Sequence, residues 1–179
     1  GEELEYNAEM MEELLLSSQN IFEFMKHVKI VSLDRGRVIF DPYSYQREMI
    51  DLFDKNRKVV VLASRQCGKT VCIGVYSLYT ALFNNDYTIG IASNKEKSSI
   101  DVLGRIKLMY EELPSHLKCG VKKYNEKSIE FENGSKILCS ATSKDAFRGR
   151  SLNLLILDEF AFVDKGKAED FWASNYPTI

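Results

Sequence analysis

Residues 58–63, Lys-Val-Val-Val-Leu-Ala, constrain the fold more than any other stretch of this chain. Their apolar side chains are consecutive rather than alternating. An unbroken β-branched run suits a strand covered on both faces, as in a parallel sheet. A polar loop follows, then a helical pattern from about Lys69 to Phe83. Thr88-Ile89-Gly90-Ile91-Ala92 reads as the next strand. Residues 95–112 read as a helix ended near Pro114, and Leu154-Leu155-Ile156-Leu157 as a second fully buried strand. Two strand-like runs, Ser128 to Glu132 and Lys136 to Ser140, flank Asn133-Gly134, the strongest short hairpin signal. A helical stretch around Glu169 to Ala173 closes the chain. Alternating strands and helices predict an α/β fold with a mainly parallel central sheet flanked by helices.

The N-terminal part reads differently. Residues 2–28 look helical, with acids at the front, an apolar stripe of Ile21, Phe22, Phe24, Met25 and Val28, and a break or cap at Ser17 or Ser18. Arg37-Val38-Ile39-Phe40 reads as a short strand ended by Asp41-Pro42. Residues 43–54 return to helical period, with Tyr45, Met49, Ile50 and Phe53 on one side. The expected division is a small helical region at 1–40 and an α/β domain at 41–179. The length of 179 residues allows that, and Gly1 in place of Met reads as a trimmed or engineered start.

Bulk chemistry excludes some classes. No run approaches the roughly 18 to 20 apolar residues of a membrane span. The net charge of −2, from 24 basic and 26 acidic residues, gives no global nucleic-acid footprint. Cys67, Cys72, Cys119 and Cys139 form no CxxC pair, and His27 and His116 stand apart, so reduced thiols are expected rather than zinc.

Ala63-Ser64-Arg65-Gln66-Cys67-Gly68-Lys69-Thr70 is a Walker A sequence with Ala63 in place of the first Gly. Its context, a strand before and a helix after, is the required one. Gly68 permits a tight turn whose amides point at phosphate oxygens, and the helix N-terminus adds positive potential. Lys69 is expected on the β- and γ-phosphates of ATP, and the Thr70 hydroxyl on Mg²⁺. Asp158-Glu159 ends the second buried strand, the Walker B position. Asp158 is expected to hold Mg²⁺ through water and Glu159 to polarise the attacking water. The bland alternatives are a chance Gly-Lys-Thr and an acidic turn at a strand end.

Weaker signals surround this pair. Tyr45 and Gln46, close to Tyr43, suit an adenine base, by stacking and by paired donor and acceptor; a core Tyr and a surface Gln suit them too. Arg65 is placed to neutralise γ-phosphate charge in cis, or is a solvated loop residue. Lys118, Lys122, Lys123 and Lys127 surround Tyr124 and suit either a nucleic-acid backbone or a lysine-protected strand edge. Arg148 and Arg150 suit a nucleotide sensor or a DNA contact, or else a loop with a helix C-cap at Gly149. Cys67, beside Lys69 and a helix N-terminus, is a candidate redox-sensitive thiol, or an inert small residue.

Together these residues resemble the large terminase subunit of tailed bacteriophages. The carriers are Tyr45-Gln46-Arg47, Ser64 to Thr70, Ala146-Phe147-Arg148-Gly149, and Asn153-Leu154-Leu155-Ile156-Leu157-Asp158-Glu159-Phe160-Ala161-Phe162. The likeness covers about residues 40–179, and residues 1–40 resemble the lid-forming helical region of some relatives. It implies a P-loop NTPase of the ASCE type that hydrolyses ATP with Mg²⁺ to drive double-stranded DNA into a procapsid. It implies a homo-oligomeric ring docked on the portal protein, with a small terminase subunit as partner, in the cytoplasm of the infected host cell; a monomer is possible for a fragment. By position, Gln46 matches the adenine-contacting Gln and Arg65 the cis arginine finger. Lys69 and Thr70 match the phosphate and Mg²⁺ ligands, Asp158 the metal carboxylate and Glu159 the catalytic one. The family's Ser/Thr-rich coupling motif and its nuclease carboxylates do not occur before Ile179, so the chain reads as a fragment of the ATPase fold. The alternatives are a superfamily 2-like helicase or cellular DNA translocase, which usually carries His or Asp soon after the Glu, and a non-hydrolysing binding module, which has no need of Glu159.

Overall fold

The computed structural model describes residues 6–32, 34–64 and 66–176. The chain divides into two compact units, residues 1–79 with 108–118, and residues 80–107 with 119–179.

The first unit opens with helix α1 (Ala8–Gln19), whose N-cap Asn7 accepts a hydrogen bond from the Met10 amide at 2.8 Å. The helix passes through Ser17 and Ser18 and breaks at Asn20. There the backbone turns extended, and the Asn20 side chain caps α2 (Ile21–Met25) by accepting from the Phe22 amide at 2.8 Å. An Asn carboxamide reaches the N2 amide more readily than a helix-interior Ser can, which places the break three residues after Ser17. Strands β1 (Lys29–Ser32) and β2 (Gly36–Ile39) form an antiparallel hairpin, of which the sequence pattern signalled only the second strand. Helix α3 (Ser44–Lys55) buries Gln46, Met49 and Ile50. Phe24 and Tyr79 pack with ring centroids 5.6 Å apart, and Phe53 meets Tyr76 at the same separation.

Residues 58–64 depart from expectation. They form no strand, and Val60 and Leu62 are 88% and 96% exposed. A β-branched run supplies propensity, but a strand exists only where a neighbour completes its backbone ladder, and no described strand pairs with this segment. Helix α4 (Lys69–Phe83) follows and begins at the expected residue.

The second unit is built on a five-stranded sheet. Its strands are β3 (Thr88–Ser93), β4 (Val121–Asn125), β5 (Ser128–Phe131), β6 (Lys136–Ala141) and β7 (Leu154–Asp158), in the order β4-β5-β6-β3-β7. Strands β6, β3 and β7 run parallel, while β4-β5 and β5-β6 are antiparallel. The class is α/β as expected, but the sheet is mixed rather than mainly parallel. The local Asn-Gly turn explains this: Gly134 adopts φ +85°, and the chain doubles back before β6. The Asn133 side chain anchors the turn, donating to the carbonyls of Ala81 (2.8 Å), Asn84 (2.9 Å) and Leu82 (3.2 Å).

Strand β7 is half-buried along its length, not fully buried, because it stands at the end of the sheet order with β3 as its partner. Helix α5 (Glu96–Glu111) begins in this unit, where Ser99 lies against the Cys139 thiol. On the other face Phe171 of helix α6 (Lys165–Asn175) packs with Ala92, Phe147 and Leu152, against Leu138, Leu155 and Leu157. Burying each of these Phe rings stabilises the unit by about 1.5–3 kcal/mol.

Candidate nucleotide site

In the first unit the loop preceding α4 is wound tightly. Gln66 and Gly68 both adopt left-handed backbone, φ +62° and +77°. The Gly68 carbonyl accepts from the amides of Val71 (3.1 Å) and Cys72 (3.2 Å), starting the helix. Lys69 curls back over its own loop. Its ammonium donates to the carbonyls of Ser64 (2.8 Å) and Ala63 (3.2 Å) and lies 3.8 Å from Cys67 Sγ. Thr70 sits half-buried in the first turn of α4. Arg65 lies outside the described residues.

Helix α3 brings the base candidates to the same loop. Tyr45 donates its hydroxyl to the Cys67 carbonyl at 3.0 Å, and Gln46 Nε2 reaches that carbonyl at 3.4 Å. Gln46 Oε1 meanwhile accepts from the Tyr43 amide at 3.0 Å, closing the capping box of α3. Tyr43 and Tyr45 stack with centroids 5.7 Å apart. Desolvation, then the neighbouring Cys67, raises the Tyr45 phenol above its usual range. Behind the loop, burial pushes the Cys72 thiol up to about 12. Tyr45, Gln46, Cys67, Gly68 and Lys69 therefore form one connected group.

In the second unit Asp158 closes β7, half-buried, in register with Ser93 of β3. Glu159 follows in left-handed backbone, φ +54°, exposed, at the head of a short 3-10 turn (Phe160–Phe162). That backbone conformation is uncommon for a residue other than Gly and often functional. The buried Thr142 donates from both its amide (2.8 Å) and its hydroxyl (3.0 Å) to the Ser93 carbonyl. The Ser93 hydroxyl is buried without a partner among the described residues. Ser93 and Thr142 carried no motif signal; only their place at strand ends distinguishes them.

The remaining candidates face solvent. Arg148 is exposed and pairs with Asp145 at 3.0 Å, and Arg150 is exposed. Residues 144–149 are a turn rather than a helix, with Gly149 at φ +74°. Lys127 is engaged by Glu96 at 2.7 Å, a contact that raises its ammonium. The Tyr124 ring is used internally, with the Lys107 ammonium 4.5 Å from its centroid. Among the described residues no three His, Cys, Asp or Glu side chains are placed to hold a metal ion. A divalent cation at Asp158 would therefore need to arrive with ligands of its own, as Mg²⁺ does on nucleotide phosphates.

These features define an α/β protein with a glycine loop heading one helix and an acidic pair closing a parallel strand. Residues 60–176 match the family model described as terminase large subunit, T4likevirus-type, N-terminal. The match takes in well over half of the chain, and the chain belongs to the large terminase subunit family, whose proteins package viral DNA.

Proposed function

We propose that this chain is an ATP-hydrolysing motor domain of the P-loop, ASCE type that powers translocation of double-stranded viral DNA into a procapsid. The observation that carries the reading is the loop at the head of α4, where the Lys69 ammonium rests on the Ala63 and Ser64 carbonyls. Such neutral partners are readily exchanged for phosphate oxygens, which bind an ammonium more strongly. Gly68 and the helix N-terminus direct amides toward the same anion.

Lys69 then holds the β- and γ-phosphates and Thr70 offers its hydroxyl to Mg²⁺. Asp158 takes the cation through water, which suits its half-buried place at a strand end. Mg²⁺, when bound, neutralises charge developing on the phosphate oxygens. Glu159 orients and polarises the attacking water as general base. Tyr45 and Gln46 contact adenine from α3; Arg65 acts in cis on the γ-phosphate, and Arg148 and Arg150 sense nucleotide or touch DNA. The motor works as a homo-oligomeric ring on the portal protein, with the small terminase subunit, in the cytoplasm of the infected host. Among the described residues no helix is long and apolar enough to cross a membrane.

The test is phosphate release by the wild type and by Glu159→Gln. The variant keeps shape and loses basicity, so it should bind ATP normally while turnover falls about a hundredfold or more. Equal turnover in both proteins removes Glu159 from the chemistry, and loss of binding in the variant reassigns it to the nucleotide or metal.

A further inference from the structure

The carboxyl ends of β6, β3 and β7 carry a polar atom that the fold leaves unused. Ser93 is fully buried, and among the described residues its hydroxyl has no hydrogen-bond partner. Buried hydroxyls are almost always paired, because leaving one dry and unbonded is costly. The backbone of Ser93 is not idle: its carbonyl accepts both donors of Thr142, at 2.8 and 3.0 Å, and so fixes the strand end. Only the hydroxyl is left over.

Register says what lies beside it. Ser93 is paired with Asp158 on one side and with Ala141 on the other. Residues paired in parallel register share a face of the sheet. This face carries Ile91, Ile156 and Cys139, and it is opposite the one covered by Phe147, Leu152 and Phe171. Ala141 offers no polar group. The Ser93 hydroxyl and the Asp158 carboxylate are thus neighbours at the carboxyl edge of three parallel strands, where open α/β sheets bind their ligands.

We propose that Ser93 is a positioning residue for the divalent cation taken by Asp158, with its hydroxyl bonded to a water of the cation's shell. Mg²⁺ keeps several waters when bound to carboxylate and phosphate, and each needs an acceptor. A serine hydroxyl accepts from such a water while its own proton remains available to a carboxylate. The inference rests on the nucleotide reading above and adds a residue to it.

The test uses the whole chain as wild type, Ser93→Ala and Ser93→Thr, with Mn²⁺ as the probe. Mn²⁺ binding is followed by electron paramagnetic resonance in the presence of ATPγS, and thermal unfolding is followed in EDTA. Ser93→Ala should bind Mn²⁺ about tenfold more weakly, as loss of one hydrogen bond in a charged shell implies. In EDTA it should unfold at the same or a higher temperature, since the substitution removes an unpaired hydroxyl. Ser93→Thr, which keeps the hydroxyl, should recover most of the affinity. Wild-type Mn²⁺ affinity in Ser93→Ala overturns the proposal, as does a loss of stability in EDTA that accounts for the weaker binding. A wild type that binds no Mn²⁺ with ATPγS overturns the nucleotide reading itself, and this inference with it.

Discussion

Replacing Gly68 by Ala should destabilise the nucleotide-free protein through two separable effects. The first is backbone strain. Gly68 sits at φ +77°, where an L-residue costs about 1–2 kcal/mol. The second is a collision, because a Cβ at this position would overlap Gln46 Nε2. Gln46 is 5% exposed and held by the Tyr43 amide at 3.0 Å and the Cys67 carbonyl at 3.4 Å. Moving its amide aside forfeits about one hydrogen bond, some 0.5–1.5 kcal/mol. The total is about 2–3 kcal/mol, and at about 2–4 °C per kcal/mol for a chain of this size the melting temperature should fall by about 5–10 °C. Urea and thermal unfolding without nucleotide would measure it. In a Gln46→Ala background the collision is gone, so the same substitution should cost only the strain of about 1–2 kcal/mol. An equal cost in both backgrounds would refute the coupling, and no cost in either would refute the left-handed assignment.

Asn133→Ala should destabilise the chain by about 2–3 kcal/mol in urea unfolding, since one side chain anchors three carbonyls and accepts from the Ser135 amide at 3.0 Å. Cys72 predicts an alkaline effect. Its folded value, about 12, lies above the ordinary 9.0, so the folded chain holds the proton more tightly. That contribution is complete below pH 9 and is lost as the pH rises toward 12. The stability gap between the wild type and Cys72→Ala should therefore narrow over that window; a constant gap would show that the thiol is not linked to folding.

Elements whose signal is local were legible. The strand at Thr88, the helix after it, the hairpin around Asn133-Gly134 and the strand ending at Asp158 all occur within a residue or so of expectation. Each is specified by its own periodicity or turn chemistry, which travels with the residues. Residues 58–63 show the limit. Val59, Val60, Val61 and Leu62 state a preference for burial in a sheet, but pairing depends on a neighbour that a single stretch cannot specify. The start of α4 was legible because Gly-Lys-Thr after a polar loop marks a helix N-terminus, and the helix opens at Lys69. That Gln46 and Tyr45 meet the loop at the Cys67 carbonyl was not, because their contacts span 21 and 22 residues of chain. The unpaired Ser93 hydroxyl is invisible in sequence for a related reason: a serine at a strand end is ordinary until its surroundings are known.

The most direct test of the account is calorimetric titration of Mg·ATPγS into the wild type and into Lys69→Ala. The substitution removes the ammonium that rests on the Ala63 and Ser64 carbonyls, and thermal unfolding without nucleotide would establish that the variant is folded. The account predicts saturable binding by the wild type and a loss of at least about tenfold in the variant, the size of one charge-assisted contact to phosphate. Equal affinity in the two proteins, or no binding by the wild type, would contradict the claim that this loop holds a nucleotide.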